Sequence, residues 1–154
     1  MNSLEQAQSI ASSLPIGVRS FALDSRYWDP QSHLCPHDGW VHAVAVREIV
    51  NKPSPEPISD YERILALQGR RIEITLELLG WSHENLLTFC YDRVVRYSIE
   101  MNRLSDRGNR AHGDWLEDTI ALGNSGGVVH QIRFSSGAEW LIECSDISFS
   151  TTSV

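Results

Sequence analysis

Cysteine is scarce in this sequence: its 154 residues hold only three, at Cys35, Cys90 and Cys144. The number is odd, the positions lie far apart, and no C-x-x-C pair occurs. These features argue against a disulfide framework and against a zinc ribbon, because both need paired cysteines at short, regular spacing. We therefore predict three reduced thiols, which are typical of a cytoplasmic protein.

Long apolar runs and positive charge are also in short supply. No stretch approaches the roughly 18 apolar residues of a membrane-spanning helix, and residues 1–14 lack the basic and apolar parts of a secretory signal. Basic residues number 13 against 20 acidic ones, which gives a net charge of −7. We therefore expect neither a membrane nor a nucleic-acid partner, since both are negatively charged, and a basic protein partner fits the surplus.

Apolar residues are otherwise plentiful. Hydrophobic residues make up 42% of the chain, and five Trp, four Tyr and four Phe add large side chains that favour a packed core. The length suits a single domain, so we expect residues 1–154 to form one folding unit.

The first residues have the pattern of an amphipathic helix. A capping-box pattern begins at Ser3, and apolar residues then recur at helical spacing as far as Leu14. Proline and glycine follow at once, and both are typical helix stops. The sequence therefore predicts a helix over residues 1–14 and an extended, partly packed lead-in over residues 15–39.

From residue 40 onward the two-residue period of strands dominates. It is clearest over residues 71–79, where Ile, Ile, Leu and Leu alternate with charged and polar residues. Residues 40–50 are apolar on both faces, which favours a central strand covered on both sides. A further strand continues one apolar face from Leu87 through Val95 and Tyr97, with a bend near Asp92.

Short turns containing glycine join these strands, which is typical of antiparallel hairpins. We predict a mostly β fold, α+β by strict count: an antiparallel sheet or sandwich of about six strands with one or two short helices. The β core spans residues 40–149 and is interrupted by a Pro-rich loop over 51–58, after which a capping box predicts a short helix ending near Gly69.

One short motif suggests catalysis. Residues 123–127 match G-x-S-x-G, with Ser125 in the place of a nucleophile and His130 or His37 as a histidine base. A nucleophile elbow requires a helix after the serine, whereas here a clean strand pattern follows. We therefore favour a hairpin turn, because Gly, Asn and Ser are typical of such turns. A small serine hydrolase is the alternative.

A second cluster holds side chains of the metal-binding type. His33, Cys35 and His37 alternate along ten residues that also hold Asp38 and His42, and in an extended segment they would share one face. The spacing matches no ligand pattern, and no distant second pair is evident. We therefore predict no metal and no cofactor, and this trio is the only alternative for a metal.

Several residues are candidates for binding. Trp81 lies on a predicted turn, so we expect it to be the exposed tryptophan and to contact a partner. A local basic segment and the H-G-D motif of residues 112–114 follow further along. The candidates in these two stretches are Arg103, Arg107, Arg110, His112 and Asp114.

Four segments together, residues 37–40 (HDGW), 72–78 (IEITLEL), 112–114 (HGD) and 130–142 (HQIRFSSGAEWLI), resemble a group of small bacterial β-rich proteins, some of which are similar to immunity proteins that neutralise toxins. The resemblance covers residues 37–146 and implies a bacterial, cytoplasmic, protein-binding domain. We therefore expect a non-catalytic interaction domain that masks a basic protein partner, and homo-oligomer formation is compatible with this prediction.

Overall fold

The computed structural model describes residues 2–50, 69–101, 112–124 and 126–154. These residues form two short α-helices and two four-stranded antiparallel sheets, so the predicted mostly β fold is confirmed. The helices are α1 (Ser3–Ser9) and α2 (Ile16–Ala22). The strands are β1 (Trp40–Val50), β2 (Arg70–Leu79), β3 (Asn85–Val94), β4 (Arg96–Ile99), β5 (Trp115–Leu122), β6 (Val128–Phe134), β7 (Glu139–Cys144) and β8 (Asp146–Ser153).

The two sheets pack face to face as a sandwich. The first sheet has the order β1-β2-β3-β8 and the second has the order β4-β7-β6-β5. Phe89 of β3 stacks on Trp115 of β5 with ring centroids 5.5 Å apart, and both side chains are fully buried. The inner faces therefore share one hydrophobic core, to which α1 and α2 add Ala7, Val18 and Phe21.

The alternation predicted for residues 71–79 is confirmed in β2. Ile74, Leu76 and Leu78 are fully buried, and the residues between them are half-buried. Leu76 lies opposite Phe89 on β3, as expected for a strand whose inward row meets the next strand in the chain.

The predicted helix over residues 1–14 is too long at its end. α1 stops at Ser9, and a short 3-10 helix, Ala11–Ser13, follows it. The capping box is real but begins one residue earlier, since Asn2 is the N-cap and Glu5 completes the reciprocal pair. Apolar spacing alone does not distinguish an α-helix from a 3-10 turn that carries the same residues to the core.

The extended lead-in predicted over residues 15–39 is wrong, because α2 and a 3-10 helix, Ser25–Trp28, lie within it. Pro15 precedes the first turn of α2, where a missing N–H costs nothing. The backbone N–H groups of Gly17 and Val18 donate to the carboxylate of Asp146, at 3.0 Å each. This cap comes from β8, far away in the sequence, so a local pattern does not show it.

Gly17 is required by the same contact. A Cβ at this position would lie 2.5 Å from the Ile147 carbonyl oxygen, so no larger residue fits while β8 caps the helix. Gly17, which the sequence pattern indicated as a helix stop, therefore lies in the first turn of a helix, α2.

The prediction that residues 40–50 form a central strand is also wrong. β1 lies at the edge of the first sheet, where β2 is its neighbour, and most of its residues are exposed. Val44 and Val46 lie opposite buried residues of β2 yet stay exposed. An apolar β-branched composition favours a strand but does not fix its place in the sheet.

The long strand predicted to continue through Tyr97 is divided in two. The bend falls at Arg93, whose φ of 52° is left-handed, and beyond it the chain leaves the first sheet and joins the second as β4. Val95 and Tyr97 are exposed rather than inward, because β4 is an edge strand. The predicted Pro-rich loop and the helix that follows it, up to residue 68, lie outside the described residues.

Candidate functional site

A buried polar network crosses the core between the sheets. Asp118 Oδ2 accepts hydrogen bonds from the Tyr27 hydroxyl and from His130 Nε2, both at 2.8 Å. Asp118 Oδ1 accepts from Trp115 Nε1 at 3.2 Å, and the Tyr91 hydroxyl lies 2.9 Å from His130 Nδ1. All five residues are buried, so the carboxylate has exchanged water for three polar neighbours, Tyr27, Trp115 and His130.

The protons of this network can be assigned from its hydrogen bonds. Burial raises the pKa of Tyr27 and of Tyr91 well above the ordinary value, so both hydroxyls keep their protons. The Asp118 carboxylate can only accept, so His130 Nε2 carries a proton and donates to it, while His130 Nδ1 pairs with the Tyr91 hydroxyl.

A bulge places Asp118 inside the sandwich. The pairing of β5 with β6 shifts between Trp115 and Glu117. Beyond the shift, Asp118 and Ile120 lie on the buried face, and the Glu117 side chain is exposed. Two residues at odd and even positions, Trp115 and Asp118, can therefore both point into the core.

A cleft of about 440 Å³ opens beside this network, between α1, the segment after α2 and β5. Its floor includes Asp118, and its mouth includes the exposed carboxylates of Asp29 and Glu117. The described residues that line it include neither Lys nor Arg. They are Asn2, Ser3, Leu4, Ser25, Tyr27, Trp28, Asp29, Pro30, Cys35, His37, Trp115, Leu116, Glu117 and Asp118.

The three predicted metal alternatives do not converge. Cys35 is buried in the cleft wall, where burial raises the pKa of its thiol to about 11. His37 Nδ1 lies 2.8 Å from the Leu116 carbonyl oxygen, and His33 stacks on Trp81 instead. Among the residues that the structure describes, no three His, Cys, Asp or Glu side chains form a group that could hold a metal.

An aromatic patch lies around the turn between β2 and β3, and we define it as Trp40, Trp81, His33 and His83. Trp40 packs on His83 at 4.6 Å between ring centroids, and Trp81 stacks on His33 at 5.5 Å. Trp40 is 49% exposed and Trp81 39%. Trp81 is exposed as predicted, and Trp40, which was assigned to a covered strand, is more exposed still.

The aromatic patch is held in place by polar contacts. Trp40 Nε1 donates to Asp114 Oδ1 at 2.7 Å, and Trp81 Nε1 donates to the Ser32 carbonyl oxygen at 3.1 Å. Asp114 also lies opposite Trp40 in an antiparallel backbone bridge, in which Trp115 N–H donates to the Gly39 carbonyl oxygen at 2.9 Å, and this fixes the start of β1 beside the start of β5. Both indoles are therefore oriented before any partner arrives.

The predicted binding residues are only partly brought together. Trp81 and Asp114 both belong to or contact the aromatic patch, whereas His112 turns inward and packs edge-on against Trp140 at 4.8 Å. Burial lowers the pKa of His112, which favours its neutral form. The candidates Arg103, Arg107 and Arg110 lie outside the described residues.

The two histidines of the hydrolase alternative are both engaged. His130 bonds through both ring nitrogens inside the core, and His37 is held at the Leu116 carbonyl oxygen. Ser125 itself lies outside the described residues. A histidine with both nitrogens occupied must break a buried hydrogen bond before it can accept a proton from a serine.

The residues of the site that were not identified from the sequence include Tyr27, Trp40 and Asp118. Asp118 precedes the buried Ile120 by two residues on a strand, and this alternation was a usable signal. Tyr27 and Asp118 are 91 residues apart in the sequence, so no local pattern predicts their hydrogen bond.

Comparison of the chain with protein-family models, with curated proteins and with solved structures finds no match in any of the three. The resemblance to immunity-like proteins therefore stays a prediction. The structure does place two of its segments side by side: Trp40 Nε1 donates to Asp114 Oδ1 at 2.7 Å, and the two residues form an antiparallel backbone bridge. In the described ranges, no helix is long and apolar enough to cross a membrane.

Proposed function

We propose that this chain is a non-catalytic domain that binds a basic protein partner through the aromatic patch. The observation that carries the proposal is the exposure of two tryptophans, Trp40 at the start of β1 and Trp81 on the turn between β2 and β3. Tryptophan is enriched among the residues that dominate binding energy in protein interfaces. Single exposed apolar residues are ordinary, but two preoriented indoles on one surface favour an interface.

The charge around the aromatic patch favours a basic partner. The segments that carry it or hold it in place, residues 29–40, 80–85 and 112–114, contain four acidic residues and neither Lys nor Arg. The Asp38 side chain is 61% exposed beside Trp40. Together with the net charge of −7, this distribution attracts a positively charged surface and speeds its association at low salt.

The state of the buried network supports binding over catalysis. Its acid and its histidine hydrogen-bond to each other and to two tyrosines in the core, where they act as a structural unit. The immunity-like role implied by the sequence resemblance is one form of the proposed function: an acidic domain covers the basic surface of a toxin. In that form the aromatic patch supplies contact area, and the carboxylates select the partner.

Affinity capture from native lysate tests this proposal, with wild type, Trp40→Ala, Trp81→Ala and the control Leu122→Ala compared side by side. Leu122 is 43% exposed, similar to the two tryptophans, and lies on the second sheet. We expect a basic protein to be retained by wild type and control, and its affinity to fall about thirtyfold in each tryptophan variant, as for an interface hot spot. Urea melts confirm that each variant is folded.

Two results would contradict the proposal. One is a set of captured proteins that the tryptophan variants leave unchanged, and the other is no captured protein at all. A partner retained equally at low and high salt would refute the electrostatic part, since screening weakens attraction between surface charges.

A further inference from the structure

The cleft beside Asp118 is separate from the aromatic patch, and its chemistry suits a cation. We infer that the cleft binds the guanidinium group of an arginine side chain. The inference rests on the proposed function in one respect: the basic partner would supply that arginine. The segment of residues 29–40 joins the two surfaces, with His33 in the aromatic patch and His37 in the cleft wall.

The floor of the cleft offers a carboxylate with an unused acceptor position. Asp118 Oδ1 receives one hydrogen bond from the described residues, the 3.2 Å contact from Trp115. A carboxylate oxygen has two lone pairs, so Oδ1 can accept a second donor from the cleft. A cationic donor there would form the stronger, charge-assisted kind of hydrogen bond with the carboxylate.

The walls of the cleft are aromatic. Trp28 is half-buried and stands edge-on to Tyr27, with ring centroids 4.7 Å apart. Trp28 Nε1 donates to the Ala22 carbonyl oxygen at 2.8 Å, which fixes the orientation of the indole. A guanidinium stacks on such rings and is less strongly hydrated than an ammonium, so a partly dry aromatic cleft favours arginine over lysine.

One carboxylate at the mouth of the cleft is already paired with a guanidinium group. Glu117 lines the mouth and forms a short ion pair with Arg133 of β6, which approaches from outside the cleft. Both side chains are more than half exposed, so this pair is weak and an incoming arginine can compete for the carboxylate. Asp29 provides a second exposed carboxylate at the mouth.

The size of the cleft suggests that more than one side chain enters it. A volume of about 440 Å³ is within the range of sites that hold small ligands or short peptide segments. We therefore expect the arginine to enter together with flanking backbone of the partner.

Arginine amide is the probe, and citrulline amide, its neutral isostere, is the matched control. Each is titrated into the ¹⁵N-labelled full chain while the indole N–H signals are followed by NMR. We expect saturable shifts of Trp28 and Trp115 with arginine amide, a dissociation constant on the order of 1 mM for so small a ligand, and little response to citrulline amide. Trp40 and Trp81 should stay unmoved and serve as internal controls.

Glu117→Gln and Glu139→Gln form a matched pair of variants. Both carboxylates contact Arg133 and both are about equally exposed, but Glu117 alone of the two lines the cleft. We expect Glu117→Gln to weaken arginine amide about two- to fivefold, the usual range for an exposed pair, and Glu139→Gln to leave it unchanged.

Several outcomes would overturn the inference: no saturable shift at Trp28 or Trp115, equal binding of citrulline amide, or tighter binding of lysine amide. Equal effects of the two Gln variants would also overturn it. None of these results depends on Trp40 or Trp81, so they leave the proposed function standing. Conversely, failed capture by the aromatic patch would leave arginine amide binding intact.

Discussion

Replacing Asp118 with asparagine tests whether the buried network stabilises the fold. The change keeps the shape of the side chain and removes one acceptor oxygen. Its control is Glu117→Gln at the adjacent position, which makes the same chemical change on a side chain that is 57% exposed. The two variants make nearly the same change in composition and strand propensity. A difference between their free energies of unfolding therefore measures the contribution of the buried network.

The expected magnitude follows from the hydrogen bonds of Asp118. An asparagine oxygen can replace Oδ2 and keep the bonds from Tyr27 and His130, but both become neutral bonds, at a cost of about 1 kcal/mol each. Its NH₂ then faces the Trp115 indole N–H, which loses its acceptor at a cost of about 1–3 kcal/mol. Removing a buried charge offsets part of this loss. We expect a net destabilisation of about 3 kcal/mol from these terms.

Urea unfolding followed by tryptophan fluorescence measures both variants, with the m-value checked for constancy. Glu117→Gln should lower the free energy of unfolding by less than about 0.5–1 kcal/mol, as for an exposed ion pair. Equal and small effects of the two variants would refute the reasoning. They would mean that desolvation of the Asp118 carboxylate cancels its hydrogen bonds, and that the network contributes nothing net to stability.

Other predictions concern the core, alkaline pH and the thiols. Leu76→Ala should lower the free energy of unfolding by about 2–5 kcal/mol in urea melts, because it leaves a cavity under Phe89. Glu77→Ala, at a half-buried position, should lower it by less than about 0.5 kcal/mol. Equal losses would refute one-sided burial of β2. The pKa values of Tyr27 and Tyr91 are raised in the folded chain, so above the unfolded pKa of about 10 only the unfolded chain loses these protons. The stability that the two tyrosines contribute is therefore complete below about pH 10 and falls above it, by about 1.4 kcal/mol per pH unit for each tyrosine. Replacing either with phenylalanine should flatten this decline, and an unchanged slope would contradict the assignment. Ellman titration should find three thiols in the denatured, unreduced chain. Burial raises the pKa of all three in the native chain, to about 11 for Cys35 and about 12 for Cys144, but Cys90 is only half-buried and should react first.

The parts of the fold that the sequence predicted are those set by local periodicity. The inward row of β2 needs nothing beyond a two-residue period, and it was predicted residue by residue. α2 could not be predicted in this way, because its cap is Asp146 from β8 and its Gly17 is required by a contact with Ile147. The edge position of β1 likewise depends on how strands are ordered, and side-chain composition does not encode that order.

The candidate site was predictable to a smaller extent. His130 was placed on an inward row and expected to be hydrogen-bonded in the core, and its contacts with Tyr91 and Asp118 confirm that interpretation. The aromatic patch was half predicted, since Trp81 lies on a turn while Trp40 begins a strand of apolar character. The cleft joins residues from α1, the segment after α2 and β5, and only the tertiary fold brings them together.

Asp118 connects the stability of the core with the proposed arginine site, because its two oxygens accept from Tyr27 and Trp115 and the same residue lines the cleft. A ligand that binds only the folded chain stabilises it by RT ln(1 + [L]/Kd), which is about 2.3 kcal/mol at fifty times Kd. Arginine amide should therefore raise the urea midpoint of the wild type, and citrulline amide should not. In Asp118→Asn the acceptor charge is gone, so arginine amide should stabilise the folded chain less, over and above the loss of intrinsic stability. If arginine amide stabilised both chains equally, the Asp118 carboxylate would have no part in binding, and the cation would have to be held by the exposed carboxylates at the mouth.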